Sequence, residues 1–345
     1  RLFKMKKRNK YLLIGATFLA STTILLACSN TTKPSTTTSH SQEKTSSEKT
    51  KEVSIGNYIN QSKKAPQLWY EIDGEKVIKG VYAFEDNQVT YYDTSYEATT
   101  NTETTISSAQ FKADYVGKNV YSAGGNVQSF FDSFDGKDTA EKISEEMLTD
   151  IIKKYDTEDG NADGIIDVTI PDALTLESIS TLSDDEIIEQ AKAFEKASTH
   201  KQIIFEKVSL ALRQLVDGKD TTSAIDKLTE IENQYNQKVA SDYQLKILPD
   251  EDLAETLEET LTIPIKKLSY DNVIDYTYVI KDESFSAYLA YSQFASESVD
   301  DVKYIGFPSF ITKQKDGENV TLVYDTYDLR PDNVQVTSDS VDDEE

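Results

Sequence analysis

Cysteine is nearly missing from this chain of 345 residues, with Cys28 the only one. A lone cysteine leaves no intramolecular disulfide and no cysteine-built zinc site. Histidine is almost as scarce, at His40 and His200. A histidine zinc site needs more ligands than that. A Ser-His-Asp triad would have to use His200, which stands between Thr199 and Lys201 with no nucleophile motif nearby. His200 therefore reads as an ordinary surface or helix-end histidine. Positive charge is also short, 36 Lys and Arg against 61 Asp and Glu, a net charge of −25. Such a surface repels nucleic acid and attracts cations, so no nucleic-acid partner is expected. Ser122-Ala123-Gly124-Gly125-Asn126 lacks the Gly-Lys-Ser/Thr ending of a phosphate loop.

An apolar run of membrane-spanning length is wanting too. Tyr11 to Ala27 is 17 uncharged residues diluted by Gly15, Thr17, Ser21, Thr22 and Thr23, whereas a span takes about 20 predominantly apolar residues. A basic start, Met5-Lys6-Lys7-Arg8-Asn9-Lys10, then a short apolar stretch and a small residue, Ala27, make a secretory signal over residues 1–27. Leu25-Leu26-Ala27-Cys28 resembles the lipobox of bacterial lipoproteins, with Leu26 where that family usually has a small residue. The resemblance implies cleavage before Cys28 and a diacylglycerol on its thiol. The expected partner is then the membrane, held from its extracellular face through the lipid. Two acyl chains anchor stably where one does not. Residues 1–27 hold six basic and no acidic side chains, so the remainder carries 30 basic against 61 acidic, a net charge of −31.

From Ser29 to Thr50, 13 of 22 residues are Ser or Thr. That composition buries no core and reads as a flexible tether over residues 28–52. As a coil it spans roughly 25–30 Å. Residues 53–337 are expected to form an α+β ectodomain, with antiparallel β segments at both ends and a helical middle, and 338–345 an acidic tail. Within the ectodomain, 53–135 reads as β-rich, 138–262 as helical and 263–330 as β. Leu68-Trp69-Tyr70-Glu71-Ile72, Val77 to Phe84 and Val89 to Tyr92 are β-branched and aromatic runs broken by Asp73-Gly74 and Glu85-Asp86-Asn87, which signals hairpins. Residues 95–137 read as loops with little strand.

Asp138 is expected to open a helix along Ile143, Met147, Ile151 and Tyr155. Ser183 and Glu186 form a capping box, with Leu182 stapled to Ile187, and Ala191 and Phe194 continue the stripe. Ile204 to Leu215 predicts a second helix ended by Asp217-Gly218, and Ile225 to Tyr235 a third. A strand at Tyr243 to Leu248 and a helix on Leu253, Leu257 and Leu261 follow. Asn272 to Ile280, Phe285 to Tyr291, Lys303 to Lys313 and Asn319 to Asp325 read as strands, the last pair joined by a hairpin turn at Lys315-Asp316-Gly317-Glu318. Val89 to Thr94 echoes Val320 to Thr326, which suggests related hairpins flanking the helices.

Leu68-Trp69-Tyr70, Val81-Tyr82-Ala83-Phe84, Asn87 to Tyr92 and the Leu-Ser-Asp-Asp-Glu-Ile-Ile phrase at Leu182 to Ile188 resemble small uncharacterised lipoproteins of Gram-positive bacteria such as streptococci and lactobacilli. The likeness covers about a third of the chain and implies location alone.

Asp159-Gly160-Asn161-Ala162-Asp163-Gly164-Ile165-Ile166-Asp167 fits D-x-N-x-D-G-x-x-D. Calcium takes six to eight oxygens. In this register Asp159, Asn161 and Asp163 supply side chains, Ile165 its backbone carbonyl, and Asp167 binds directly or through water. Ile166 would anchor the loop to the core. The loop resembles EF-hand and extracellular calcium repeats, but Ile170 stands where their bidentate Glu belongs, and Pro171 follows. Asp172, or Asp156 and Glu158, would fill that place. A structural Ca2+ is the expected cofactor; the bland alternative is a metal-free turn of Asn, Asp and Gly.

These features point to a membrane-anchored extracellular lipoprotein that binds a ligand or protein, with no catalytic residues assigned. Two alternatives stay open: the solute-binding component of an uptake system, and a carboxylate-based hydrolase of wall polymers with two acids about 5–10 Å apart.

Overall fold

A computed structural model describes residues 50–60, 65–95, 105–109, 143–156, 165–218, 220–250, 255–272, 277–290, 295–315, 317–326, 330–332 and 334–336. The signal run, Cys28, the tether and the acidic tail lie outside them, as do Asp159, Asn161 and Asp163. Among the described residues no helix is long and apolar enough to cross a membrane.

The chain is α+β, and its middle layer is a sheet buried on both faces. β2 (Gln67–Ile72), β3 (Ile78–Glu85) and β4 (Gln88–Asp93) form a meander extended on one side by β7 (Ser241–Asp242) and on the other by β13 (Phe310–Lys313), β12 (Val302–Phe307) and β11 (Ala295–Val299). All seven pair antiparallel. Successive side chains of a strand point to opposite faces, so Leu68, Tyr70 and Ile72 enter one core while Trp69 enters another. Cores on both faces make β2 a near-continuous apolar run, buried at five of six positions. Asp86 and Asn87, both at positive φ, close the β3–β4 hairpin, and Asp300 and Asp301 close β11–β12 in the same way; two consecutive left-handed residues match the strand twist.

On the Trp69 face lies a second sheet, ordered β10 (Thr277–Ala290), β9 (Glu255–Asn272), β8 (Gln244–Asp250) and β15 (Val334–Val336), with β15 parallel to β8 and the others antiparallel. Leu245, Ile247, Leu261, Ile263 and Ile265 meet Trp69, Tyr82 and Phe310 there. α1 (Ile55–Ile59) and β1 (Lys51–Ser54) close this core, β1 pairing parallel with β14 (Val320–Val323). A small ladder joins β5 (Thr105–Ser107) to β6 (Ile165–Asp167).

Helices complete the fold, and two of them cover the other face. α2 (Glu145–Tyr155) is capped by Ser144, whose hydroxyl accepts the Met147 N–H, and α3 (Leu176–Ser180) carries a Thr175–Ser178 capping box. α4 (Asp184–Asp217) opens on the expected box: Ser183 accepts the Glu186 N–H, and the Glu186 carboxylate accepts the Ser183 N–H at 2.8 Å. Gly218, at φ 67°, ends it, the left-handed position where glycine costs least. α5 (Thr222–Asn236) packs beside it.

Several expectations need correction. α4 is one helix of 34 residues, not two, because no Pro or Gly separates Phe194 from Ile204. At 1.5 Å per residue it is about 50 Å long. Its first turns (Ile187, Ala191) pack on the sheet, and its later ones (Ile203, Ile204, Val208, Leu212) pack with α2 and α5 in a separate helical core. The helix expected on Leu253, Leu257 and Leu261 is not formed where it is described: Leu257 and Leu261 lie in strand β9, and Leu253 lies outside the described residues. A spacing of four satisfies a period of two as well as 3.6, and Thr256, Thr260 and Thr262 with Ile263 tip the balance to strand. Lys303 to Lys313 is the β12–β13 hairpin, turning at Pro308 and Ser309. No β13–β14 hairpin forms, since β14 pairs with β1, and β4 and β14 lie in different sheets.

Candidate functional site

Four elements meet at a broad cleft. β4 contributes Val89 and Tyr91, the end of α5 Gln234 and Tyr235, the following turn Gln237 to Ser241, and the β9–β10 ribbon Pro264, Ile265, Lys266, Ile280 and Asp282. The cleft holds about 390 Å³ and opens to solvent, with Val239 at its rim 74 % exposed. Tyr91 and Tyr235 are buried to the ring edge, as Tyr-rich sheet and helix stripes usually are.

Behind its wall lies a desolvated charge pair. Glu195 of α4 is buried, and its Oε1 accepts from Lys238 Nζ at 2.6 Å and from the Asp93 N–H at 3.0 Å. Lys238 follows the end of α5, so its stem folds back and the ammonium sits 4.3 Å over the Tyr235 ring, a cation–π contact. Burial raises the Glu195 carboxyl above its ordinary range, opposed by Lys238. Burial likewise lifts the Tyr235 phenol, which also bonds Glu195. A smaller pocket of about 110 Å³ lies beyond, between Asp93, Glu195, Tyr235 and Lys267. That is below the roughly 300–1,000 Å³ of ordinary ligand sites.

None of these residues was singled out from the sequence. Glu195 did leave a signal, since it follows Ile187 and Ala191 at helical spacing on the buried stripe. Lys238 left none, because the carboxylate it pairs with stands 43 residues away on α4.

Of the expected calcium ligands, only Ile165 and Asp167 fall within the described residues, both in β6. Ile166 is fully buried in the helical core, as its anchoring place requires. Asp156, at the end of α2, accepts the Asp167 N–H at 2.9 Å, so it ties together the two flanks of the loop. Glu158 lies outside the described residues; among those described, no group of three acidic, His or Cys side chains gathers as a metal site.

His200 is half-buried and not at a helix end. It sits within α4, and its Nδ1 meets Glu232 Oε1 of α5 at 2.5 Å. The adjacent carboxyls Glu259 and Asp325 are both fully buried, so no wall polymer reaches them. Comparison of the chain with protein-family models, with curated proteins and with solved structures returns no match.

Proposed function

We propose that the chain is a lipid-anchored module on the outer face of a Gram-positive cell membrane. Its folded part takes a ligand in the cleft over Tyr91, Tyr235 and Lys238. The cleft is the observation that carries the reading. Its 390 Å³ is of ligand-site size, and its lining mixes ring edges and Pro264 with Gln234, Gln237 and two lysines. That mixture suits a polar ligand with a flat apolar face, such as a sugar of a wall polymer. A soluble muropeptide titrated calorimetrically against the full chain tests it. Val239→Trp plugs the mouth without touching the core, and is expected to weaken binding at least tenfold. Equal affinity in both proteins, or no heat at millimolar muropeptide, rejects the cleft as the site.

The same proposal places a structural Ca2+ in the loop of Asp159, Asn161, Asp163, Ile165 and Asp167. Ligand that binds only the folded state stabilises by RT ln(1 + [L]/Kd), about 1.4 kcal/mol at ten times Kd. Thermal unfolding in millimolar calcium is expected to move upward relative to EDTA. The gain should vanish in Asp159→Ala/Asp163→Ala. Identical melting in all three cases would reduce the loop to a turn.

A further inference from the structure

We infer that Glu259 of β9 and Asp325, just after β14, form a buried proton-binding site. One proton held between the two carboxyls fastens α1, β9 and the segment after β14 together.

Geometry sets the requirement. Both side chains are wholly buried. Asp325 Oδ2 accepts the Gly56 N–H at 2.6 Å, and the Asp325 N–H donates to Glu259 Oε2 at 3.0 Å. The Asp325 carbonyl accepts the Thr256 hydroxyl at 2.5 Å. Position 56 has to be glycine, because a Cβ there would stand 2.8 Å from Asp325 Oδ2. One oxygen on each acid, Glu259 Oε1 and Asp325 Oδ1, has no donor among the described residues. Two ionised carboxylates in contact in a dry core repel strongly, and each would keep an unsatisfied oxygen. A single proton removes both faults: one acid becomes a donor to the other. Asp325 already draws a short backbone N–H, which favours its anion, so Glu259 carries the proton.

The neighbouring elements offer little to displace it. Their titratable groups are Lys51 and Glu52 on β1, Tyr58 on α1, Lys246 and Asp250 on β8, Glu255, Glu258, Lys266, Lys267, Tyr270 and Asp271 on β9, and Tyr278, Lys281, Asp282, Glu283 and Tyr288 on β10. Glu318 and Tyr324 flank β14, and Arg330 and Asp332 precede β15. The charge that acts on Glu259 is that of Asp325; burial first, then Asp325, pushes its carboxyl up to about 10. A carboxyl raised on folding binds its proton more tightly when folded. Its stabilisation is complete below the ordinary value of 4.5 and is lost as pH climbs toward about 10. The proton leaves to water, and the two anions then push β9 away from the segment after β14.

Chemical denaturation of the full chain and of Glu259→Gln across pH 6 to 8 tests this. The amide supplies a permanent donor to Asp325, so the variant lacks the slope. Over those two units the wild-type folding constant is expected to fall about a hundredfold relative to the variant, tenfold per pH unit for one proton. Parallel profiles overturn the inference. Should the variant not fold, infrared spectroscopy of wild-type protein with carboxyl-labelled glutamate decides it. A protonated glutamic acid band persisting at pH 7 and vanishing near pH 10 is expected. Its absence at pH 7, as when a cation bridges the two acids, overturns the site.

Discussion

Trp69→Ala is expected to lower the unfolding free energy by about 3–5 kcal/mol, the range for emptying a buried aromatic site. Trp69 is the only tryptophan in the chain and is fully buried. It stacks on Phe310 with ring centroids 5.0 Å apart and on Phe307 at 6.2 Å, and Tyr58 meets it edge-on at 6.5 Å. These rings come from β2, β13, β12 and α1, so the vacated space lies where both sheets and α1 converge. Close packing on four sides leaves little room for collapse, and the cavity term stays large. The indole N–H has no acceptor among the described residues, so Trp69→Phe should lose less than half as much. Denaturant unfolding followed by far-ultraviolet dichroism reads both. Equal losses for Phe and Ala would show that the ring stack is not what holds this junction.

Lys238→Met is expected to cost a similar 3–5 kcal/mol at neutral pH, because it strands a buried anion. The pair is well shielded, with 4 % exposure for the Glu195 side chain and 19 % for Lys238. The second substitution, Glu195→Leu, should restore most of the loss, since an apolar pair needs no compensation. The pH dependence fixes the cause. Burial already holds the Glu195 carboxyl above its ordinary range, and loss of the ammonium raises it further. The single variant is therefore expected to regain stability as pH falls and Glu195 takes up a proton. A loss independent of pH would assign the effect to the cation–π and packing contacts of Lys238 instead.

Local signals in the chain were easier to read than distant ones. Ser183 and Glu186 announced the start of α4, and Asp86-Asn87 the turn between β3 and β4, because each is settled by residues three or four apart. The stripe of Leu253, Leu257 and Leu261 misled because a spacing of four fits either regular structure; the strand-favouring Thr256, Thr260, Thr262 and Ile263 decide it where β9 is described. Pairings such as β1 with β14 or β13 with β2 join segments more than 200 residues apart, and nothing local encodes them. The cleft was hidden for the same reason. Tyr91, Tyr235, Lys238 and Pro264 become neighbours only after both sheets and α5 are in place. The calcium loop is the reverse case, a local pattern whose oxygen-bearing residues lie mostly outside the described structure.

α4 also has a mechanical consequence. Its first turns are set in the core above the seven-stranded sheet and its later turns in the helical core, with no break between. A continuous helix is stiff over such a length, so a twist or shift of one core is carried along the shaft to the other. The two cores thus share one axle of unbroken helix.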